Sequence, residues 1–540
     1  MTSQKVSALK SYAKLHQFSH AFSQPEQHLK HLLEDKNRLE NFSIRVPGFF
    51  YDYSRQRVNQ NLMQQLFSLA QESKAKQKFS QMTSGEKINS TESRAALHTA
   101  TRDFTRAAIF LDGQDVMPQI KQVNHQIKAF TQDLHENKIS GHTGKPFSDA
   151  VVIGIGGSYL GCQFVYEALK TKIDPKINLH FLSNVDIDNF GEIIKKINPQ
   201  TCLWVVISKT YTTAETLANL NQALLYLKQH HLDPACHLIT ITAKGSPGES
   251  SSQKHLASFN MFDYIGGRYS VSSAVGALPL SLAFGFDVFE QFLKGCHAMD
   301  IHAQQAPDNE NIPLTAALIG IWNTHFLGYP AQAIIPYCSA LSKLAPHVQQ
   351  LYMESLGKSV TSIGEPVDYK TGCVIFGEPG TNAQHSFFQL AHQGMAFPVE
   401  FIGIIHPVFN QEQTQSKGVY NHQELWANML AQAQALAIGK DSQDSAKYFS
   451  GNRPSSTIIV NEISPETIGM LLAFYEARTV YEGFILGINP FDQFGVELGK
   501  VLASGIRKHM AQKNKNVPSE PDSLDPITHV YLDMLFKGSL

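Results

Sequence analysis

The stretch SDAVVIGIGGSYLGCQF, residues 148–164, sets the reading of this 540-residue chain. A short apolar run, Val151 to Ile153, breaks at Gly154, Gly156 and Gly157, and a helix-like segment follows. Strand, glycine turn and helix in that order can hold a phosphate. Backbone N–H groups at a helix start point at an anion, and the helix dipole favours negative charge there. The question is whether the phosphate belongs to a dinucleotide, a nucleoside triphosphate or a smaller substrate.

The same pattern recurs outward from this loop. DAVVIGIG, NLHFLSN, CLWVVISK and HLITITA read as buried strands, with LGCQFVYEALK and AETLANLNQALLYLKQH as the helices between them. A second set follows residue 310. AQAIIPY, GCVIFGE, VEFIGII and STIIVNE are its strands. SALSKLAPHVQQLYMESLG, AQHSFFQLAHQG, HQELWANMLAQAQALAIG and PETIGMLLAFYEARTVYEGFILG are its helices. Such alternation implies parallel sheets flanked by helices, so the fold class is α/β with two units in tandem. The first hundred residues read mostly as polar helices and loops. The boundaries implied are an N-terminal helical segment 1–117 packing on the second unit, α/β units 118–290 and 291–510, and a C-terminal arm 511–540. Within the last boundary, AQKNKNVPSEPDSLDP reads as a polar connection before a final short helix.

Composition excludes several classes. With 43% hydrophobic residues the chain can bury a large core, and its net charge of -2 gives no global grip on nucleic acid or an anionic membrane. Cys162, Cys202, Cys236, Cys296, Cys338 and Cys373 form no CxxC pair and read as reduced thiols. The N-terminus lacks the apolar segment of a signal peptide. The longest apolar candidate, VGALPLSLAFGFDVF, is broken by Pro279, Gly285 and Asp287, so no spanning helix is expected. A cytoplasmic protein is the expectation.

Three nucleotide or nucleophile motifs fail at the first loop. Tyr159 stands where a dinucleotide fingerprint needs its third glycine, although Asp186 after the next strand could serve a ribose. LGKS at Leu356–Ser359 has the ending of a Walker loop, but Tyr352 occupies the first glycine position. Leu160 replaces the last glycine of a nucleophile elbow. A packing role explains Gly161, but not Gly156, Gly157 and Ser158 together. The next loop, VVISKTYTTAET, supplies Ser208, Lys209, Thr210, Thr212 and Thr213 before a helix. An ordinary helix cap accounts for one hydroxyl, not four with a lysine. Two such loops at neighbouring strand ends suit a small phosphorylated ligand without a nucleotide.

Taken with later motifs, the chain resembles the glucose-6-phosphate isomerase (phosphoglucose isomerase) family. The likeness runs from GEKINSTESRAALHTATRD (Gly85–Asp103) to FDQFGVELGK (Phe491–Lys500), and DYIGGRYSVSSAVG is equally specific. GIGGS, SKTYTTAET, MESLGK and GTNAQHSF lie in the family's order. Leu356, Ala383, Pro490 and Phe494 stand where the family commonly has Asn, Gly, Ser and Trp. The resemblance implies two sugar-isomerase-type (SIS) domains and an aldose–ketose isomerase that needs no cofactor.

It also implies roles for single residues. Glu354, near a helix end with Gly357 as its cap, would be the base, with Gln350 one turn earlier on the same face. Arg268, after two glycines, would stabilise the enediolate. His385, at the start of a helix, would open the sugar ring from the neighbouring subunit of a homodimer, with Lys500 as its partner. Gln493, seven residues before Lys500 and on the same helical face, would hold substrate. Gly157, Ser158, Ser208, Lys209, Thr210 and Thr213 would anchor the phosphate. No HExxH or other ligand pattern supports a metal, and His392 lies two turns beyond His385. Three alternatives stay open at this stage: a non-catalytic sugar-phosphate sensor with SIS domains, an NAD-dependent oxidoreductase, and an isomerase of another sugar phosphate.

Overall fold

In the computed structural model, which describes residues 5–249, 255–409, 414–515 and 524–540, the apolar runs form two separate sheets. The strands are β1 (Ser43–Val46), β2 (Phe49–Asp52), β3 (Asp149–Ile153), β4 (Asn178–Leu182), β5 (Cys202–Ile207), β6 (Leu238–Ala243), β7 (Ala257–Met261), β8 (Ala331–Pro336), β9 (Val374–Phe376), β10 (Val399–His406) and β11 (Ser455–Glu462). The helices that position the site are α1 (Leu160–Leu169), α2 (Ala214–Gln229), α3 (Phe286–Gln305), α4 (Leu344–Leu356), α5 (Pro465–Leu486), α6 (Glu497–Asn514) and α7 (Pro526–Lys537).

The first sheet is parallel throughout, in the order β4-β3-β5-β6-β7. Every residue of β5 is buried, as expected of a strand covered on both faces. From β3 the chain passes to β4 on one side and returns to β5 on the other. That reversal opens a crevice at the carboxyl ends of β3 and β5, the place where such sheets bind ligands. Both hydroxyl-rich loops lie there.

The second sheet has the order β1-β2-β11-β10-β8-β9. Strands β8 to β11 are parallel, whereas β2 adds antiparallel to β11 and β1 antiparallel to β2. This hairpin corrects the reading of the N-terminal segment as helices and loops. Its strands are four residues each and their partner, β11, lies some four hundred residues later. Local periodicity is too short to reveal such a pairing. Phe49 and Tyr51 seat it on Phe474 of α5, with ring centroids 5.6 and 6.0 Å apart.

Helix α5 runs through the core, and most of its side chains are buried, charged ones included. Arg102, within the GEKINSTESRAALHTATRD stretch, meets Asp300 of α3 at 2.7 Å and Glu476 of α5 at 2.6 Å. Arg478 pairs with Glu400 at 3.2 Å, and Tyr352 of α4 donates to Glu482 at 2.5 Å. Charges buried this deeply need partners, and these supply them.

The two sheets are joined by α4 packing on α1. Phe164 stacks on His347 with centroids 5.9 Å apart. A Cβ on Gly161 would lie 2.1 Å from Val271 Cγ2, so this glycine has the packing role expected of it. Both sheets fall within one compact unit, Met1–Phe491, and Asp492–Leu540 forms a second. In the second unit α6 extends into the stretch read as a polar connection, and residues 516–523 of that stretch lie outside the described residues. Among the described residues no helix is long and apolar enough to cross a membrane. All six cysteines are free thiols.

Candidate functional site

The loop after β3 turns sharply because Gly156 takes a φ of +57°, a conformation glycine adopts without strain. Residues Gly156–Ser158 make a single 3-10 turn and α1 starts at Leu160. Gly157 is pressed on the arginine turn. A Cβ there would lie 2.1 Å from the Gly267 carbonyl carbon. The pair of glycines before Arg268 therefore permits backbone to meet backbone.

The loop after β5 is shaped by its own hydroxyls. Tyr211, at φ +54°, donates its N–H to Ser208 Oγ at 3.1 Å. Thr210 and Thr212 share a hydrogen bond of 2.7 Å. Thr213 is the residue before α2, yet its side chain makes no capping bond. The cap explanation thus fails for this hydroxyl, which sits beside the unsatisfied first-turn N–H groups of α2. Lys209 donates to the carbonyls of Asp263 at 2.9 Å and Ile265 at 3.4 Å, tying this loop to the segment that leads into Arg268. Burial lowers its ammonium from the ordinary value, and Asp263 opposes that.

Helix α4 brings the acid to the same place. It ends at Leu356, with Gly357 as its cap residue. Glu354 Oε2 lies 3.2 Å from Arg268 Nη1, and Gln350 Nε2 lies 3.4 Å from Glu354 Oε1. The Gln350 amide also abuts the first loop, since a Cβ on Gly156 would lie 2.8 Å from its nitrogen. Gly157, Arg268, Gln350 and Glu354 are thus one cluster, drawn from a span of almost two hundred positions. A carboxylate beside a fixed guanidinium can move a proton and have the charge it leaves behind stabilised.

His385 closes the 3-10 turn Asn382–His385 rather than opening a helix, which starts at Phe388, and it is exposed. Tyr337 braces that turn through Gln384 at 3.0 Å. Gln493 and Lys500 belong to the C-terminal unit. Gln493 precedes α6, whose first residue is Glu497, so it does not share a helical face with Lys500 as expected. Lys500 is exposed in the first turn of α6. Asp186, the acid that could have served a ribose, caps the helix Ile187–Ile194 by accepting from Asp188 N–H at 3.0 Å. His392 bonds Gln432 at 2.8 Å. Among the described residues no group of three or more His, Cys, Asp or Glu could hold a metal ion.

Residues 52–528 match the family model described as phosphoglucose isomerase. The chain belongs to the phosphoglucose isomerase family. It is 56% identical, over the full length of both chains, to a glucose-6-phosphate isomerase of Desulfosudis oleivorans. A cytosolic glucose-6-phosphate isomerase of Arabidopsis thaliana is 44% identical over 89% of each chain. The crystal structure of a glucose-6-phosphate isomerase from Chlamydia trachomatis superposes with a TM-score of 0.89 at 34% identity, covering 99% of this chain and 100% of that one. The α/β fold with its two separate sheets is therefore the family's. The motifs quoted from the sequence are what this membership rests on locally, and the sequence reading missed parts of their surroundings. Ser355, Tyr269 and the Pro490 carbonyl all contact Arg268 or one another. A signal for Ser355 existed. It continues the buried stripe Leu344, Val348, Leu351 on α4, and a polar residue on a buried stripe needs a partner.

Proposed function

We propose that the chain is an enzyme interconverting glucose 6-phosphate and fructose 6-phosphate, a step of glycolysis and gluconeogenesis. The observation that carries this reading is the Glu354–Arg268 contact of 3.2 Å beside the Gly156–Ser158 loop. The phosphate dianion is held by the hydroxyls and backbone N–H groups of Ser158, Ser208, Thr210 and Thr213 with Gly157, and Lys209 adds positive charge. His385 and Lys500 open the ring, and Gln350 and Gln493 hold the open chain. Glu354 removes the proton from C2 and returns it to C1, while Arg268 stabilises the cis-enediolate between the two transfers. Proton transfer within one substrate leaves its oxidation state unchanged overall, so no redox cofactor is called for.

The same reading makes the working form a cytoplasmic homodimer in which His385 reaches the partner's site. Its support is the exposure of His385 and of Leu498, Val501 and Leu502 on α6, with Ile527, Val530, Tyr531 and Leu535 on α7. Solvent-facing apolar rows on two helices suit burial against a second copy. Residues 118–290 and 291–510 are then the two SIS-type domains, 1–117 the segment packing on the second, and 511–540 the arm.

A coupled assay of fructose 6-phosphate conversion, without added nucleotide, tests the function. Glu354→Gln should lower turnover by roughly a hundredfold or more while phosphate binding persists. Near-parental turnover in that variant would remove Glu354 from the base's role, and an inactive parent protein would overturn the assignment.

A further inference from the structure

The shortest contacts of Arg268 are not with Glu354. Its Nε donates to Ser355 Oγ at 2.7 Å and its Nη2 to the Pro490 carbonyl at 2.8 Å, against 3.2 Å for Nη1 to Glu354 Oε2. Tyr269 completes the arrangement. Its hydroxyl lies 3.0 Å from Ser355 Oγ and donates to the Pro490 carbonyl at 3.3 Å. A guanidinium only donates and a carbonyl only accepts, which fixes the direction of the two Arg268 bonds. Nε–H goes to Ser355, the Ser355 and Tyr269 hydroxyls share a bond, and the Pro490 oxygen takes Nη2–H and the Tyr269 hydroxyl. This is a closed ring of hydrogen bonds. Its side chains are buried, with Arg268 2%, Tyr269 1% and Ser355 0% exposed. Burial pushes the Tyr269 phenol up to about 12, which keeps it a donor, and His98 stacks on it at 4.7 Å.

A guanidinium beside a carboxylate favours the fork geometry, two parallel N–H···O bonds of about 2.7–2.9 Å. Here the Nε–Nη2 edge faces Ser355 and Pro490 instead. A forked pair would hold Glu354 in its charged form and weaken it as a base. We propose that Ser355 and Tyr269 are positioning residues that lock the Nε–Nη2 edge of Arg268 to Ser355 and the Pro490 carbonyl, so that Nη1 rather than this edge is turned to Glu354. The proposal rests on the reading of Glu354 as the base.

The test compares Ser355→Ala, Tyr269→Phe and Glu354→Gln, with kcat and kcat/KM for fructose 6-phosphate followed against pH and folding checked by thermal melting. The groups in contact with Glu354 are the cationic Arg268 on one oxygen and the neutral Gln350 amide on the other. Ser355→Ala frees Nε, and Tyr269→Phe removes the hydroxyl that links Ser355 to Pro490; either change lets the guanidinium turn toward Glu354, so each should lower kcat about tenfold with KM little changed. The acidic limb of the profile should move to lower pH, because the base then holds its proton less tightly. A folded variant with the parental profile, or with only KM altered, would overturn the proposal. Tyr269→Phe keeps the ring and its stacking, so it decides the matter if Ser355→Ala does not fold. Loss of activity in Glu354→Gln beside an unmoved profile in the other two leaves the proposed function standing and removes the positioning role. Retained activity in Glu354→Gln removes the base itself.

Discussion

Replacing Gly157 with alanine asks whether the phosphate loop and the arginine turn form one rigid piece. The added Cβ would lie 2.1 Å from the Gly267 carbonyl carbon, 2.3 Å from its oxygen and 2.5 Å from the Arg268 nitrogen. Carbon atoms in ordinary contact stand about 3.5–4 Å apart, so the two segments must separate by more than about 1 Å. All three atoms are backbone, and no rotamer change relieves the clash. Overpacking of this kind costs about 1–3 kcal/mol. A catalytic group misplaced by about 1 Å costs about a hundredfold in rate. Gly157→Ala should therefore lower both the urea midpoint and kcat/KM, the latter by about two orders of magnitude. Gly191→Ala is the matched control. Gly191 lies inside the helix Ile187–Ile194 with nothing within 4 Å of its added Cβ, so the same change should stabilise by about 0.4–1 kcal/mol. Parental turnover in Gly157→Ala would refute the rigid contact between the two segments.

Two further substitutions probe the charges around α5. Burial pushes Glu482 up from 4.5 to about 7, with Arg478 and the Tyr352 hydroxyl opposing. Between those values the folded chain keeps a proton that the unfolded chain has lost, so its contribution to stability falls as pH rises from about 4.5 to 7. Glu482→Gln removes that loss and should gain on the parent by up to ~3 kcal/mol across the window, read by urea titration at a series of pH values. A difference that does not vary with pH would refute it. Arg102→Met leaves Asp300 and Glu476 buried without their common partner and should cost about 3–5 kcal/mol in the same assay, more at pH 8 than at pH 5. Recovery of most of that loss on adding Asp300→Asn and Glu476→Gln would locate the cost in the stranded carboxyls.

The parallel strands were legible because burial on both faces writes itself as unbroken apolar runs, as in CLWVVI of β5. The β1–β2 hairpin left no such mark, since what stabilises it is a distant partner strand. Among site residues, those legible carried charge or a phosphate-loop pattern. Spacing alone misled for Gln493, because a seven-residue interval implies a shared face only when both residues lie in one helix, and α6 begins after it.

The residues the sequence hid act through their neighbours. Glu354 and Ser355 are adjacent on α4, as are Arg268 and Tyr269 on their turn, and each pair divides the same labour. Ser355 and Tyr269 are buried in the core, whereas Glu354 is partly exposed. Each of the two buried residues is polar where a hydrogen bond awaits it, and both bonds bear on the Arg268 guanidinium. His98 and Asn89 extend the pattern back to the GEKINSTESRAALHTATRD stretch. His98 stacks on Tyr269, and Asn489 beside Pro490 donates to Asn89 at 2.8 Å. That stretch holds no charge against Glu354 in this arrangement; it holds the carbonyl and the ring that hold Arg268. The stretch thus reaches the guanidinium through the backbone of Pro490 and the ring of Tyr269.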